Sequence, residues 1–521
     1  MTVEGEHKWN WQNFVITFAI SLGQWAFAYP SAIIGSTMGQ PSFLRYMEFI
    51  EEDGTMTDIS VNLQGAMTGV FQAGAFFGIL LVSWVMDRYG RKAGMIFCAI
   101  LSIVGGSITT ASNGVAMFIV SRFISGGGSW GFLAVTPVYT SELSPPNLRG
   151  LFVGMNGVNI AVGYALASYM GLAFFYVSDP AAQWRCPLGI ALVFPVGILL
   201  IMAVVPESPR WLLMKGRTED ARKITLKLHK EADTGATEYA EAQFEQMYLQ
   251  AEVDRTLNPT WREMFLRPSY RKRAIVAIAF AFIGHSTGVT VINNYGPTLY
   301  KALGYDSEYQ LILQTGWITM AIPANILGVF VTDSWGRKPL ILLGVLGCCA
   351  CLIIEAALVA VYASPVPEAP NLVAIRAAVA ILYLFMIFYS LGIDVAGMVF
   401  FGELFPNHLR AKGMGLAAVT IALSDFVYLQ CGAIAYRDIG WKYYLVFVIV
   451  TLIGAIYLMV YVPETRGIPL EEMSALFGDV DEIANFRSSP NRNGDTDGIE
   501  PTVTYRKTDE DGDVITTTHV A

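Results

Sequence analysis

Charged residues are scarce in this chain of 521 residues, because only 15% are Asp, Glu, Lys or Arg while 54% are hydrophobic. Soluble globular domains carry about 25% charged residues. The shortage excludes an ordinary water-soluble domain and predicts a chain whose surface lies mostly in lipid. Basic residues form no patch of the kind that binds nucleic acid, so no nucleic-acid partner is expected.

Cysteine is also rare, and the six cysteines lie within or at the ends of hydrophobic runs without metal-ligand spacing. We interpret them as packing residues. The sequence also lacks a glycine-rich nucleotide-binding loop with its lysine, a metal-ligand cluster and a soluble domain that could host a catalytic site. These absences argue against an enzyme and against a bound cofactor or metal.

Hydrophobic runs of about 20 residues, the length that crosses a bilayer as a helix, are abundant. Six precede the polar stretch 206–272 and six follow it. The first run follows a short polar start without a small-residue cleavage site, so we interpret it as a retained helix. The runs are 12–35, 63–86, 94–112, 115–139, 150–176, 186–205, 273–300, 309–332, 339–362, 373–400, 412–436 and 441–462.

Three charged motifs occur twice in the same order, once in each half of the chain. This repetition predicts a duplicated, all-α integral membrane protein with twelve transmembrane helices in two pseudo-symmetric six-helix bundles. The pairs are Asp-Arg-Tyr-Gly-Arg-Lys at 87–92 with Asp-Ser-Trp-Gly-Arg-Lys at 333–338, Glu142 and Arg149 with Glu403 and Arg410, and Pro-Glu-Ser at 206–208 with Pro-Glu-Thr at 463–465.

Charge in the connecting loops predicts the orientation of the chain. Successive loops alternate between the two sides of the membrane, and the basic residues concentrate in the loops of one side, which include 87–92 and 206–272. The loops of the other side include 36–62, where five acidic residues accompany Arg45 as the single base. Because basic loops stay in the cytoplasm, both termini are predicted to be cytoplasmic.

Composition also predicts the domain boundaries. The polar stretch between the halves alternates charged and apolar residues at helical spacing, as short amphipathic helices on a membrane surface do. After about residue 476 the chain is too polar to bury a core, so we expect a largely disordered tail. The predicted parts are 1–11 (cytoplasmic start), 12–205 (first bundle), 206–272 (linker with amphipathic helices), 273–462 (second bundle) and 463–521 (cytoplasmic tail).

The motifs that identify a family are 87–92, Arg122 with glycines 126–128, 137–142 with Arg149, 184–187, 206–212, 333–338, 403–410 and 463–472. Together they resemble the sugar porter branch of the major facilitator superfamily, over about residues 12–475. The resemblance implies alternating access, in which the solute binds near the bilayer midplane and the two bundles rock around it.

The resemblance also implies a gate made of charged residues at the inner helix ends. Acids and arginines are expected to pair across the two bundles when the cytoplasmic side is shut, and to separate when it opens. The alternative is that these are ordinary charged residues at an interface. That alternative does not explain why the same residues recur at equivalent positions in the two halves. The predicted gating residues are Arg88, Arg91, Glu142, Arg149 and Glu207 in the first half, and Asp333, Arg337, Glu403, Arg410 and Glu464 in the second.

The hexose-binding side chains of the family are mostly replaced. Hexose-transporting relatives carry two glutamines and an asparagine on the seventh helix, where 284–295 reads Gly-His-Ser-Thr-Gly-Val-Thr-Val-Ile-Asn-Asn-Tyr. A Gly-Pro motif on the tenth helix is replaced by 394–398. Unpaired buried groups cost about 1–3 kcal/mol each, so these replacements favour another polyol-like molecule over glucose. The predicted solute is a sugar or a sugar-like polyhydroxylated molecule, with a non-hexose substrate as the alternative.

His285 is the only histidine inside a predicted span, and it stands where relatives carry a substrate-contacting glutamine. An imidazole can donate and accept hydrogen bonds and can take a proton. The alternative is a histidine satisfied by a backbone carbonyl. Of Asn293 and Asn294, one is expected to face the cavity. The predicted substrate-binding residues are His285, Thr290, Asn294, Tyr295, Asn156, Asn159, Asp394 and Asp425.

Energy coupling is predicted from the first and fourth helices. Proton-driven relatives carry an Asp on the first helix that pairs with an arginine on the fourth; here Pro30 stands at that position and Arg122 is kept. We therefore expect facilitative transport. The alternative is proton symport with Asp394 and Asp425 as carriers, with Arg122 as a coupling partner, since acids within a membrane are usually functional.

The sequence thus predicts a plasma-membrane transporter of the sugar porter type that acts as a monomer, with a small solute and the lipid bilayer as its partners. Other solutes left open are a polyol, a quinate-like acid and a natural product. A nutrient receptor that binds without transporting is the competing class.

Overall fold

The computed structural model describes residues 11–50, 58–144, 149–229, 238–256, 260–363, 371–465, 477, 502–508 and 514–520. Within these residues the chain is helical apart from one hairpin near its end. Two compact units are distinguished, residues 1–478 and residues 479–521. The first unit contains all of the membrane helices.

The first bundle is built from nine helices that make six membrane crossings. Two of these crossings are each divided into two helices, one at Leu22 and one at 191–192. The helices are α1 (Trp11–Ser21), α2 (Gly23–Met38), α3 (Pro41–Tyr46), α4 (Asp58–Tyr89), α5 (Arg91–Thr110), α6 (Val115–Leu143), α7 (Arg149–Phe175), α8 (Pro180–Ile190) and α9 (Val193–Val204).

Four short helices connect the bundles and lie in the stretch predicted to be amphipathic. A small apolar cluster around Leu212, Leu213, Ala221 and Ala251 packs three of them together. The first begins at Ser208, whose hydroxyl accepts a hydrogen bond from the Trp211 amide, a typical N-cap. The helices are α10 (Pro209–Met214), α11 (Thr218–His229), α12 (Glu238–Thr256) and α13 (Trp261–Leu266).

The second bundle repeats the six crossings with its own interruptions. They include a π-helical segment, Ser390–Asp394, and a short 3₁₀ segment, Gly440–Lys442. The α-helices are α14 (Pro268–His285), α15 (Val289–Ala302), α16 (Ser307–Thr319), α17 (Ala321–Trp335), α18 (Arg337–Tyr362), α19 (Leu372–Tyr389), α20 (Val395–Leu404), α21 (Asn407–Asp438) and α22 (Tyr443–Tyr461).

Eleven helical segments of the described chain are long and apolar enough to cross a membrane. The first predicted run, which the structure divides into α1 and α2 at Leu22, is not among these eleven segments and is the twelfth crossing of the predicted fold. The backbone still passes through Leu22 with helical hydrogen bonds on both sides. The predicted all-α membrane fold is confirmed.

Close helix packing inside the first bundle explains its many glycines. α4 and α6 pack along most of their length. A Cβ on Gly126 or on Gly78 would overlap the backbone of the facing helix. Without a hydrophobic driving force between helices in lipid, such close approach is what stabilises their association.

The two bundles contact each other along matching pairs of helices. α4 packs against α21, α2 against α15, and α7 against α16 and α17. We call the end of the bundles where Gly90 and Gly336 lie the motif end, and the opposite end the far end. At the far end Tyr176 donates a hydrogen bond of 2.7 Å to Glu308. The bundles therefore meet on both sides of the space between them.

The unit 479–521 contains a two-stranded antiparallel hairpin, β1 (Thr502–Thr508) and β2 (Val514–Val520), with Thr502 opposite Val520. The sequence predicts a largely disordered tail, so the two strands differ from that prediction. Their threonine, valine and isoleucine content favours extended backbone. The remainder of the tail after Phe477 lies outside the described residues.

Candidate functional site

A cavity of about 100 Å³ lies between the two bundles. The first bundle contributes side chains from α2, α4, α6 and α7, and the second from α14 to α17 and α19 to α21. The lining residues are Phe27, Ser31, Gln72, Trp130, Leu133, Ile160, Ala161, Tyr164, His285, Val289, Thr290, Asn293, Asn294, Trp317, Ile318, Ala321, Met386, Tyr389, Asp394, Met398, Ile421 and Asp425.

His285 and Asp425 form an ion pair or hydrogen bond in the cavity wall. The distance between His285 Nδ1 and Asp425 Oδ1 is 3.0 Å, and Thr290 Oγ1 lies 3.4 Å from the same ring nitrogen. His285 ends α14, and Gly288 with φ of 84° starts α15. This left-handed residue, which suits glycine, turns the chain so that His285 and Thr290 face the same space.

Asp394 lies at the end of the π-helical segment, also in the cavity wall. Asn325 Nδ2 donates to its Oδ2 at 3.0 Å. π-helical turns are rare and occur frequently at functional sites. The backbone irregularity thus places a carboxyl group in the cavity and leaves it with a neutral hydrogen-bond donor rather than a cation.

Asn293 and Asn294 both line the cavity, whereas the sequence-based prediction placed only one of them there. Asn294 donates to the carbonyl oxygen of Thr290 at 2.8 Å. The side-chain oxygen of Asn293 is buried without a hydrogen-bond partner among the described residues. Helical spacing separates neighbours by 100°, but a wide cavity wall accommodates both.

Three predicted substrate-binding residues lie away from the cavity. Asn156 bonds Gln24 and Thr140 within the first bundle, and Asn159 accepts a hydrogen bond from Trp25 and donates one to Ser21. These amides hold α7 against α1, α2 and α6. Their partners on these helices were not visible in the sequence, and a role for the two asparagines in substrate binding stays a prediction.

Tyr295 also does not line the cavity. Its hydroxyl donates to the Leu429 carbonyl at 2.8 Å and lies 2.9 Å from the Thr68 hydroxyl. Leu429 belongs to the second bundle and Thr68 to the first. Tyr295 is therefore a contact between bundles rather than a cavity residue.

Arg122 is buried behind the cavity wall and contacts the first crossing. Its guanidinium donates to the carbonyl oxygen of Pro30 at 2.9 Å and lies 4.0 Å from the centre of the Phe71 ring. Pro30 occupies the position where proton-driven relatives are expected to carry Asp. A backbone carbonyl thus takes the place of a carboxylate opposite this arginine.

Sequence reasoning missed the aromatic side chains of the cavity. Phe27, Trp130 and Tyr164 come from the first bundle, and Trp317 and Tyr389 from the second. The Phe27 ring lies 5.0 Å from that of Trp130 and 6.2 Å from that of Tyr164. In a chain with 12% aromatic residues no single aromatic position stands out, so only the assembled structure identifies them.

A charged network occupies the motif end of the first bundle. Arg91 forms a bidentate pair with Glu142 at 2.8 Å. Glu207 accepts hydrogen bonds from the backbone amides of Arg91, Lys92 and Ser208. Burial raises the pKa of Glu207, while these amides favour its ionised form. A carboxylate at the N-terminus of α5 also complements the helix dipole.

The second bundle carries the same network at equivalent positions. Arg337 pairs with Glu403 at 2.8 Å. Glu464 accepts hydrogen bonds from the amides of Arg337 and Lys338 at 3.0 Å, and Thr465 donates its hydroxyl to Glu403 at 2.7 Å. The duplicated motifs therefore form the same arrangement of hydrogen bonds and ion pairs in the two bundles.

Among the described side chains, the ion pairs between predicted gating residues lie inside each bundle, Arg91 with Glu142 and Arg337 with Glu403; pairing across the bundles stays a prediction. A charged pair that joins the two bundles is Lys412 with Asp87, at 3.2 Å. Neither residue was among the predicted gating residues, although Asp87 belongs to the first motif. Arg88 is exposed. The side chains of Arg149 and Asp333 lie outside the described residues, and Arg410 lies at the motif end on α21.

Two bundles of membrane-crossing helices around a cavity that both of them line define the class of this protein, a multi-pass membrane transporter for a small solute. The chain belongs to the family described as "Sugar (and other) transporter", whose sequence model matches residues 16–477. The predicted resemblance is confirmed.

Relatives over most of the chain are transporters of several kinds. The MFS-type transporter criB of Aspergillus cristatus is 27% identical over 453 residues, which are 87% of this chain and 90% of that protein. A high-affinity glucose transporter of Kluyveromyces lactis is 27% identical, over 91% of this chain and 86% of its own. A probable quinate permease of Aspergillus fumigatus is 28% identical, over 90% and 88%.

Solved structures share the fold at lower identity. The proton:xylose symporter XylE, bound to 6-bromo-6-deoxy-D-glucose, matches with a TM-score of 0.73 at 22% identity, covering 89% of this chain and 99% of that one. A partially occluded inward-open form of XylE from E. coli matches with a TM-score of 0.71. These matches show a sugar porter fold.

Proposed function

We propose that the protein moves a polyhydroxylated, sugar-like solute other than a hexose across the membrane by alternating access. The solute binds in the cavity between the bundles, held by the His285–Asp425 pair, Thr290, the two asparagines and Asp394. Both termini and the motif end lie in the cytoplasm, the membrane is the plasma membrane, and the protein acts as a monomer.

The observation that carries this proposal is a set of unpartnered polar atoms in the cavity wall. The indole nitrogen of Trp130 and the side-chain oxygens of Gln72 and Asn293 are buried without a hydrogen-bond partner among the described residues. Such atoms cost about 1–3 kcal/mol each when left unpaired. A solute with several hydroxyl groups can satisfy one donor and two acceptors at once.

The wall differs from that expected for a hexose transporter. His285 stands where a substrate-contacting glutamine is expected, and it already shares its Nδ1 with Asp425. The names of relatives span glucose and quinate, so family membership alone leaves the solute open. The altered cavity supports a non-hexose solute.

Facilitative transport is the mode that the first and fourth crossings support. Pro30 occupies the position where a proton-carrying Asp is expected. Arg122 donates a hydrogen bond to the backbone carbonyl of Pro30, which does not titrate. Binding energy for the solute then comes from the cavity alone, and its gradient drives net movement.

Proton symport is the second candidate, because two carboxyl groups face the cavity. Asp425 is 2% exposed and bonds His285, and Asp394 bonds Asn325. Buried carboxyl groups bind protons readily when their charge is not compensated. Either group could carry a proton together with the solute.

Uptake of labelled hexoses, pentoses, polyols and quinate in a transporter-null cell tests the proposal. We expect equilibrating uptake of a polyol-like solute that a protonophore does not abolish. His285→Ala should reduce that uptake at least tenfold, since it leaves Asp425 without its partner. Arg222→Ala, on the linker helix α11, serves as the control and should leave uptake unchanged.

Two results would change the assignment. Accumulation against a gradient that the protonophore abolishes would replace facilitation by symport, and the same assay on Asp394→Asn and Asp425→Asn would identify the carrier. Binding without uptake of any solute in the panel would instead indicate a receptor.

A further inference from the structure

We propose that the solute is cationic: a polyhydroxylated amine, such as an amino sugar or an amino polyol, whose ammonium group binds between Asp394 and Asp425 and the aromatic wall of the cavity. This inference rests on the proposed transport function and specifies the charge of the solute.

The charge of the cavity wall is the first step. Its ionisable lining groups are one imidazole, two carboxyl groups and two phenols, and no lysine or arginine is among the described lining residues. With both carboxyl groups ionised and His285 protonated, the wall carries one net negative charge, and with His285 neutral it carries two. A charge in a low-dielectric site needs a partner.

The nearby cations do not supply that partner. Among the described lining residues His285 is the only basic one, and it pairs with Asp425. Arg122 lies on the far side of Pro30 and contacts Phe71. Asp394 accepts a hydrogen bond from the neutral side chain of Asn325, and the one imidazole near it is already paired with Asp425, so an ammonium group in the cavity would supply the missing positive charge.

The aromatic wall is the second, independent step. Phe27, Trp130 and Tyr164 form a continuous group of rings on the first-bundle side. The carboxyl groups come from the second bundle, which also contributes Trp317 and Tyr389 to the lining of the same cavity. Aromatic faces attract cations, by about 0.5–2 kcal/mol per contact.

An anionic solute is excluded by the same geometry. A polyhydroxy acid would bring a carboxylate toward Asp394 and Asp425, with His285 as the single opposing charge. Like charges at close range are strongly unfavourable in a low dielectric. A neutral polyol would leave the negative charge of the cavity wall without a compensating cation. It should therefore bind more weakly than the amine of the same shape.

Three six-carbon probes with the same hydroxyl chain test the inference. Glucamine carries an ammonium group at its end, sorbitol a hydroxyl and gluconate a carboxylate. The full chain is reconstituted in proteoliposomes at pH 7 without a pH gradient, and uptake is measured with a potassium diffusion potential that is negative inside. We expect uptake of glucamine that rises with this potential, at least tenfold weaker uptake of sorbitol, and none of gluconate.

The variants Asp394→Asn and Asp425→Asn keep the side-chain shape and remove one negative charge each. Each should lower the apparent affinity for glucamine at least tenfold and narrow its advantage over sorbitol. Glu355→Gln is the matched control, because Glu355 is a buried acid on α18 that does not line the cavity. It should leave the preference unchanged. Quenching of tryptophan fluorescence by glucamine gives a binding readout that does not depend on transport.

Preference for sorbitol or gluconate over glucamine would overturn the inference while leaving the proposed transport function intact. Uptake of sorbitol that needs an acid gradient would overturn it as well, since the carboxyl groups would then serve protons. If none of the three probes binds or moves, the charge inference fails, and the panel of neutral sugars and polyols decides separately whether the proposed function holds.

Discussion

At the scale of single residues, two glycines explain why the charged motifs keep their shape. Gly90 and Gly336 have φ of 108° and 97° and precede α5 and α18. With ψ near 165° in both, they lie in a backbone region that only glycine adopts without strain. Glu207 and Glu464 lie directly against these glycines, so a side chain there would displace the carboxylate.

We predict that Gly90→Ala destabilises the first bundle by about 1–3 kcal/mol, which is the strain of this backbone region. The added methyl group would also collide with the Glu207 carboxylate. Thermal unfolding of the detergent-solubilised protein measures the effect. Gly114→Ala is the control, because its backbone is extended and nothing lies within 4 Å of an added Cβ. Equal melting temperatures for the two variants would contradict this account.

The sequence predicted individual residues unevenly. His285 and Asp425 could be selected because a titratable group in an apolar helix is conspicuous. Asn156 and Asn159 were equally conspicuous but bond within their own bundle. Polarity inside a helix shows that a partner is needed, and the sequence does not say whether that partner is a solute or a neighbouring helix.

At the scale of secondary-structure elements, α4 and α21 are joined by a contact that crosses between the bundles. Lys412 Nζ lies 3.2 Å from Asp87, whose side chain is 45% exposed. An exposed pair of this kind contributes about 0.2–1 kcal/mol. That energy is small against the stability of the fold but large enough to bias an equilibrium between two arrangements of the bundles.

We predict that Lys412→Ala opens the motif end about 1.4-fold to fivefold more often, the factor that corresponds to the energy of such a pair. A cysteine placed at Ser83, which faces Gly415 of α21, reports opening by its rate of reaction with a thiol reagent, in a chain whose six native cysteines are replaced. Arg217→Ala, which breaks a surface pair on the linker, should leave the rate unchanged.

A double-mutant cycle completes this test. Asp87→Ala should have at least the effect of Lys412→Ala, since it also removes a contact of 3.7 Å with Arg91. The double variant should open no more often than Asp87→Ala alone, because Lys412 has then already lost its partner. Independent, additive increases from the two substitutions would show that the pair is not a latch.

Most elements could be predicted from the length and apolarity of the runs. The interruptions could not, because their causes are local and weak. Leu22 divides the first crossing although it is not a breaker residue, and the π-helical segment at Ser390–Asp394 has no sequence signature that we recognise. The charged motifs showed that the halves repeat, but their partners inside each bundle became visible only when the helices were assembled.

At the scale of the whole molecule, residue 477 marks the end of the compact unit. Phe477 is buried, 7% exposed, and its ring lies 5.1 Å from the guanidinium carbon of Arg273. Arg273 is itself 1% exposed at the start of α14 and donates to the Leu404 carbonyl. One aromatic ring thus covers a buried cation where α14 and α20 meet.

We predict that Phe477→Ala lowers the free energy of unfolding by about 3 kcal/mol, which is typical for removing a buried phenylalanine. The substitution also exposes Arg273 and removes its contact with the ring. Truncation after Gly478 is the control, since residues 479–521 form a separate unit, and it should leave the melting temperature unchanged. The account fails if truncation is the more damaging of the two changes.

The π-helical turn at Ser390–Asp394 has implications for how new solute preferences could evolve. Such a turn absorbs one residue more than an α-helical turn. Deleting one codon there would restore a plain α-helix in which the two flanking stretches keep nearly their present directions. Glu403 would then keep its pairing with Arg337, while Asp394, which lies within the turn, would change its direction. A lineage could in this way exchange its cargo by a single deletion, without altering any cavity residue by substitution.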